Sequence, residues 1–232
     1  MQGSPPTFGS TVDHLRLDAD DYEDCYVVGD VHGCIDRLEA LIGRLDPAPT
    51  DLLVFVGDLV RKGPDSAAVL EWVRDRPNAY SVLGNNEAKV LDGATTQPPI
   101  SASDRSYLRD LPDVITFDDA IVAHGGIDPR TPLDEQDAGT LTEIRSVPAG
   151  AGYDGPFWFE QYDGPHRVYF GHTVLEAPYV TEHAVGLDTG CVYGGRLTAY
   201  RHGDGEVTSV DGRFEEWNRP ADQIVSPSSE HA

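Results

Sequence analysis

Three short apolar runs early in the chain each stop at a glycine followed by a side chain with a metal-binding oxygen. Tyr26-Val27-Val28 precedes Gly29-Asp30, Leu52-Leu53-Val54-Phe55-Val56 precedes Gly57-Asp58, and the run from Ala79 to Leu83 precedes Gly84-Asn85. Continuous apolar runs of this kind suit strands covered on both faces. Between the first two, Ile35, Leu38, Leu41, Ile42 and Leu45 recur at helical spacing and predict a helix over Cys34 to Leu45; beyond Pro64, Ser66 to Arg76 predicts a second. Repeated strand, turn and helix is the pattern of an α/β sheet, whose strand carboxyl ends share one crevice. Further strands are predicted at Ala120 to Ala123, Val168 to Phe170, Ala184 to Leu187 and Arg196 to Tyr200, and a helix at Asp104 to Leu111. Several of these strands follow one another without a helix between, so the second half is expected to be partly antiparallel.

The chain of 232 residues suits one domain. Residues 1–24, rich in Gly, Pro, Ser and then Asp, read as a flexible leader, 25–212 as the domain, and 213–232 as a tail without readable chemistry. Residues 92–113 and 128–166 read as excursions of the substrate-facing kind. No apolar stretch suits a secretory signal or a bilayer span, so a soluble, cytoplasmic protein without a membrane partner is expected. Cys25, Cys34 and Cys191 fall in no paired spacing and read as small buried residues of a reducing compartment. Acidic residues outnumber basic ones by 40 to 17, and Lys62 and Lys89 are the only lysines. Self-repulsion on this scale is screened at about 1 M salt, where the Debye length falls to about 3 Å; the composition fits a halophilic, salt-filled cytosol. Without a basic stripe, a nucleic-acid partner is not expected.

Five strand ends finish in glycine beside a metal-capable side chain: GDVHG with Asp30 and His32, GDLV with Asp58, GNNE with Asn85, HGG with His124, and GHT with His172. Each alone is weak, because Gly-Asp is a common turn and a single histidine is more often structural. Carboxylate, amide and imidazole together suit divalent ions such as manganese, iron or zinc, and one carboxylate can bridge two of them.

The succession GDVHG, GDLVRKGPDS, GNNE, HGG and GHT, spanning residues 26 to about 200, resembles the calcineurin-like metallophosphoesterases. Within them it is most similar to the branch of phosphoprotein phosphatases and symmetrical diadenosine tetraphosphate hydrolases. The resemblance implies a mixed β-sandwich flanked by helices and a pair of divalent metal ions. Asp30 and His32 would bind the first, Asp58 would bridge, and Asn85, His124 and His172 would bind the second. It implies in-line attack by a metal-bridging hydroxide on a phosphoanhydride or phosphoprotein substrate, with charge absorbed by Lys62 and Arg145. The family carries arginine where this chain has Lys62, which grips as a point charge rather than a fork. Arg61 and Lys62 read as phosphate contacts or as a solvated loop, Arg145 resembles the second phosphate-binding arginine, and Tyr193 resembles an aromatic at the site mouth, with core packing as its other reading.

The family's third motif carries a histidine that protonates the leaving group; here Asn86 stands in its place. An amide donates hydrogen bonds but no proton. A departing alkoxide, like hydroxide with a conjugate acid of pKa about 15.7, needs that proton far more than a departing phosphate, whose second pKa is about 6. Hydrolysis of dinucleoside polyphosphates is therefore the leading expectation, a serine/threonine protein phosphatase the alternative, and a catalytically silent metal-dependent binding module the remote one. His166 and His183 are alternative proton donors.

Overall fold

The computed structural model describes residues 5–96, 98–212 and 218–226. In chain order it contains β1 (His14–Arg16), β2 (Cys25–Val28), α1 (Ile35–Leu45), β3 (Leu52–Phe55), α2 (Ser66–Arg74), β4 (Ala79–Ser81), α3 (Asn85–Leu91) and α4 (Ala102–Arg109). There follow β5 (Val114–Phe117), β6 (Ala120–Ala123), α5 (Ala138–Glu143), β7 (Arg167–Phe170), β8 (Tyr179–Val180), β9 (Ala184–Gly186), β10 (Arg196–Arg201) and β11 (Val207–Asp211). The strands form a five-stranded sheet in the order β11-β10-β2-β3-β4 and a six-stranded sheet in the order β1-β5-β6-β7-β9-β8. In the first, β2, β3 and β4 run parallel and β10 antiparallel to β2; in the second, parallel and antiparallel pairs alternate irregularly.

The two sheets pack face to face. Cys25, Val27, Leu52 and Val54 of the first meet Ile115, Phe117, Val122, Tyr169 and Val185 of the second. The intervening residues Tyr26, Val28, Leu53 and Phe55 point the other way, onto Leu38 and Leu41 of α1, Val69, Leu70 and Val73 of α2 and Leu108 of α4. Both faces of β2 and β3 are thus covered, which is why their sequence is continuously apolar instead of alternating. Each such side chain fully buried contributes about 1.5–3 kcal/mol. Asp65 caps α2 by accepting from the Ala68 amide at 2.9 Å, and Pro77 lies just past its end. Ser101 and Asp104 cap α4 reciprocally.

The leader expected at 1–24 is corrected for the described residues. Residues 14–16 form β1, parallel to β5 with His14 opposite Val114, and Phe8 and Val12 are buried on the outer face of the second sheet. The physical reason is the open edge of β5, which a short strand covers. The tail is corrected in part: Val225 is buried and pairs with Val174 and Glu176 through backbone bonds of 2.8 and 2.9 Å. Residues 1–4, 213–217 and 227–232 of those two expected segments lie outside the described residues. Segment 128–166 is no plain loop, since it contains α5 and inserts fully buried Trp158 and Phe159 under the second sheet. The three cysteines are buried and free. Among the described residues, no helix is long and apolar enough to cross a membrane.

Candidate functional site

The six predicted ligands converge where the carboxyl ends of the two sheets meet. Asp30, Asp58 and Asn85 follow β2, β3 and β4 of one sheet, and His124 and His172 follow β6 and β7 of the other. Asp58 is central: its carboxylate lies 3.5 Å from His32 Nε2 and 3.3 Å from His124 Nε2. His124 Nε2 is also 3.4 Å from the Asn85 side-chain oxygen, and its ring centre is 5.0 Å from that of His172. The His172 amide donates to Asp30 at 3.3 Å. All six residues are buried.

This convergence requires unusual backbone. His32, Asp58 and His172 have φ of 52°, 53° and 63°, in the left-handed region that non-glycine residues avoid. Such strain persists only where surrounding contacts over-determine it. Here the His32 amide donates to the Asp58 carbonyl at 2.8 Å, and the buried Glu87 carboxylate accepts from the amides of Asp58, Val60 and Gly84 at 2.8, 2.9 and 3.0 Å. Gly171 is obligatory next to His172, because a Cβ there would lie 2.0 Å from Asp30 Oδ1.

Carbonyls fix the imidazole tautomers. His124 Nδ1–H donates to the Val56 carbonyl at 2.7 Å and His32 Nδ1–H to that of Val60 at 3.2 Å, so each ring presents Nε2 to Asp58. His172 is turned over: its Nε2–H donates to the carbonyl of Glu143, the last residue of α5, at 3.1 Å, leaving Nδ1 inward. Burial, then Lys62, lowers the His32 pKa to about 3, while burial and Arg145 hold His172 well below its ordinary value. Burial opposes charge on His124, but Asp58, Asp30 and Glu87 outweigh it and raise its pKa to about 9. Burial followed by the neighbouring Asp188 carboxylate pushes Asp30 well above the usual range.

The residues fit divalent cations. Ligand atoms of Asp30, His32 and Asp58 all lie within 4.8 Å of one another, and the buried Asp30 Oδ1 has no hydrogen-bond partner. Buried carboxylates without compensation are costly, and a cation supplies it. The Lys62 ammonium, 3.0 Å from His32 Nε2, stands in for such a charge at one lone pair.

The remaining predicted residues form a rim. Arg145 reaches His172 Nδ1 at 3.3 Å, and Tyr193 is half-buried with its ring centre 6.5 Å from that of His32. Arg61 turns inward and donates to the Asn86 side-chain oxygen. Asn86 donates from its backbone to Asp58 at 2.9 Å and from its side chain to Asp58 and, at 3.0 Å, to Asn85. His166 and His183 precede β7 and β9, at the strand ends opposite those that carry His172, so neither replaces the missing acid. Sequence reasoning missed the buried carboxylates of Asp188 and Glu87 and the half-buried Tyr153 and Arg219. For Asp188 the signal was present, since it follows β9 as Asp30 follows β2.

Residues 25–220 match the family model of calcineurin-like phosphoesterases. An asymmetrical bis(5'-nucleosyl)-tetraphosphatase of Oceanobacillus iheyensis is 29% identical over 233 residues, covering 81% of this chain and 92% of the relative. A symmetrical bis(5'-nucleosyl)-tetraphosphatase of Vibrio parahaemolyticus is 27% identical, covering 80% of this chain and 98% of its own. A crystal structure described as that of a candidate diadenosine tetraphosphatase is 33% identical with a TM-score of 0.78, covering 87% of this chain and 99% of that one. Two mixed sheets whose strand ends gather two aspartates, an asparagine and three histidines, together with a match over most of the sequence, place this chain in the calcineurin-like phosphoesterase family.

Proposed function

We propose that the chain hydrolyses phosphoanhydrides of the dinucleoside polyphosphate type. The observation that carries this reading is Asp58, within 3.5 Å of His32 on one side and 3.3 Å of His124 on the other, as a carboxylate shared by two ligand groups would be. Asp30, His32 and Asp58 would hold one divalent ion and Asp58, Asn85, His124 and His172 the other, manganese first and iron or zinc next by donor chemistry. When bound, such ions polarise the phosphoryl oxygens and lower the pKa of the attacking water. The chain's own part is positional and electrostatic. Lys62 and Arg145, beside His32 and His172, face charge that develops on the transferring phosphoryl group. Asn86, bonded to both Asp58 and Asn85, holds the shared carboxylate and amide in register.

The relatives named as bis(5'-nucleosyl)-tetraphosphatases support the substrate class. So does Asn86, because a site without an acidic proton donor handicaps alkoxide departure more than phosphate departure. The acidic surface supports activity at molar salt in a cytosolic setting. The test compares diadenosine tetraphosphate, a phosphoserine peptide and bis-p-nitrophenyl phosphate with manganese at molar salt. The tetraphosphate is expected to give the highest kcat/KM, and the products, two ADP or ATP with AMP, identify the bond cut. A phosphoserine peptide turned over faster than the tetraphosphate overturns the substrate assignment. The variant Asn86→His is expected to improve the peptide relative to the tetraphosphate, by up to about 100-fold if the imidazole reaches the leaving group.

A further inference from the structure

Arg219 belongs to the C-terminal segment, yet its guanidinium lies among the residues that ring the site. It donates to the Tyr193 hydroxyl at 3.1 Å and to the Tyr153 hydroxyl, and its Nε donates to the Gln223 carbonyl at 2.9 Å. Cations and aromatic rings alternate along an arc. The Lys62 ammonium is 5.2 Å from the centre of Tyr193, the Arg219 guanidinium 5.0 Å from Tyr193 and 5.5 Å from Tyr153, and the Arg145 guanidinium 4.9 Å from Tyr153. One end of the arc touches His32 and the other His172.

Five arginines outside the arc, Arg37, Arg74, Arg130, Arg196 and Arg201, each pair with an aspartate. Among the described residues, Arg145 and Arg219 make no ion pair with a carboxylate, and Arg145 Nε is buried without a hydrogen-bond partner. Two half-buried guanidiniums on one arc with Lys62, neither in contact with a carboxylate, suit an anion from outside. A guanidinium has five N–H donors, and among the described residues Arg219 uses three of them. The two tyrosines orient the fork without neutralising it.

We propose that Arg219 is a substrate-binding residue for phosphates beyond the one attacked, and so selects for polyphosphate chains over single phosphoryl groups. Lys62 and Arg145 flank the six-residue cluster, whereas Arg219 stands one aromatic ring away from each, where the next phosphate of a chain would lie. The inference rests on the phosphoanhydride reading above for its biological substrate, but not for its test.

Inhibition of p-nitrophenyl phosphate hydrolysis by orthophosphate and by tripolyphosphate is measured on the full chain and on Arg219→Gln, Arg219→Lys and Tyr153→Phe. For Arg219→Gln the tripolyphosphate inhibition constant is expected to rise about 10-fold or more, as for loss of a charge-assisted bond, with orthophosphate unchanged within about 2-fold. Arg219→Lys is expected to recover part of the loss, and Tyr153→Phe, which keeps the ring and removes one orienting hydroxyl, to show a smaller loss of the same selectivity. Equal tripolyphosphate constants for wild type and Arg219→Gln overturn the proposal, as does equal weakening of both inhibitors. If Arg219→Gln fails to fold, the Tyr153→Phe and Arg219→Lys constants decide it by the same criterion. A chain whose tripolyphosphate binding depends on Arg219, but which leaves diadenosine tetraphosphate uncut, upholds the role of Arg219 and overturns the substrate class.

Discussion

The floor of the site and its rim are built differently. The floor is buried, comes from the first residues after five strands, and is fixed by backbone: left-handed φ at three ligands, carbonyls that set three tautomers, and one buried glutamate that gathers three amides. The rim is half-buried and drawn from four stretches remote in sequence, carrying Lys62, Arg145 with Tyr153, Tyr193 and Arg219, held by contacts between side chains. Rigid strand ends suit groups whose spacing decides the chemistry. Looser stretches suit groups that decide which substrate is taken.

Disabling the floor is expected to have the largest effect. Asp58→Asn keeps shape but removes the shared negative charge, and loss of several kcal/mol of charge stabilisation lowers kcat by about 1,000-fold or more. Unchanged far-ultraviolet circular dichroism would assign that loss to chemistry rather than folding. Chelation is expected to act likewise, abolishing turnover until a divalent metal is restored; full activity after exhaustive chelation would refute the cation assignment. At the rim, Arg145→Gln is expected to lower kcat/KM by about 100-fold, the lower range for removing one preorganised donor. A loss as deep as that of Asp58→Asn would erase the distinction between floor and rim.

The floor's legibility follows from the same contrast. An apolar run ending in glycine and then a ligand is a local signal, and it located Asp30, Asp58, Asn85 and, through HGG and GHT, His124 and His172. Of the rim, Lys62, Arg145 and Tyr193 were reached only through the family resemblance, and Arg219 and Tyr153 not at all, because nothing near either in sequence says that the two will meet. Edges were hidden for a related reason: β1 has three residues within a polar, proline-containing stretch, and only its pairing with β5 makes it a strand. The helix α3 was missed because its seven residues begin with the ligand Asn85 itself, and its register is set by Glu87 reaching back to Gly84, Asp58 and Val60. Propensity is a weak prior for segments this short.

Smaller effects test the supports. Glu87→Gln places an amide donor among three amides that now share a carboxylate, at a cost of about 1–3 kcal/mol, which for a chain of this size lowers the melting temperature by several degrees. The smallest expected effect lies away from both regions. Burial, then Arg16, lowers the His14 pKa from 6.5 to about 4, and its ring bonds Thr116 Oγ1 at 2.8 Å. The unfolded chain therefore binds more protons than the folded one between those values, so stability is lost as pH falls from 6.5 towards 4. His14→Gln is expected to flatten that acid limb of the melting curve without altering turnover at neutral pH.

Because four residues of the cluster ride on one sheet and two on the other, the distance between His124 and Asp58 is set by whatever separates the two sheets. Val27 and Val54 on one side and Ile115 and Val122 on the other serve as the spacer. Dense packing makes such a layer stiff, and stiffness is what a site with tolerances of a few tenths of an ångström needs. The interior that holds the protein together therefore also gauges its reactive centre, and a methyl group removed there would register in catalytic rate as well as in stability.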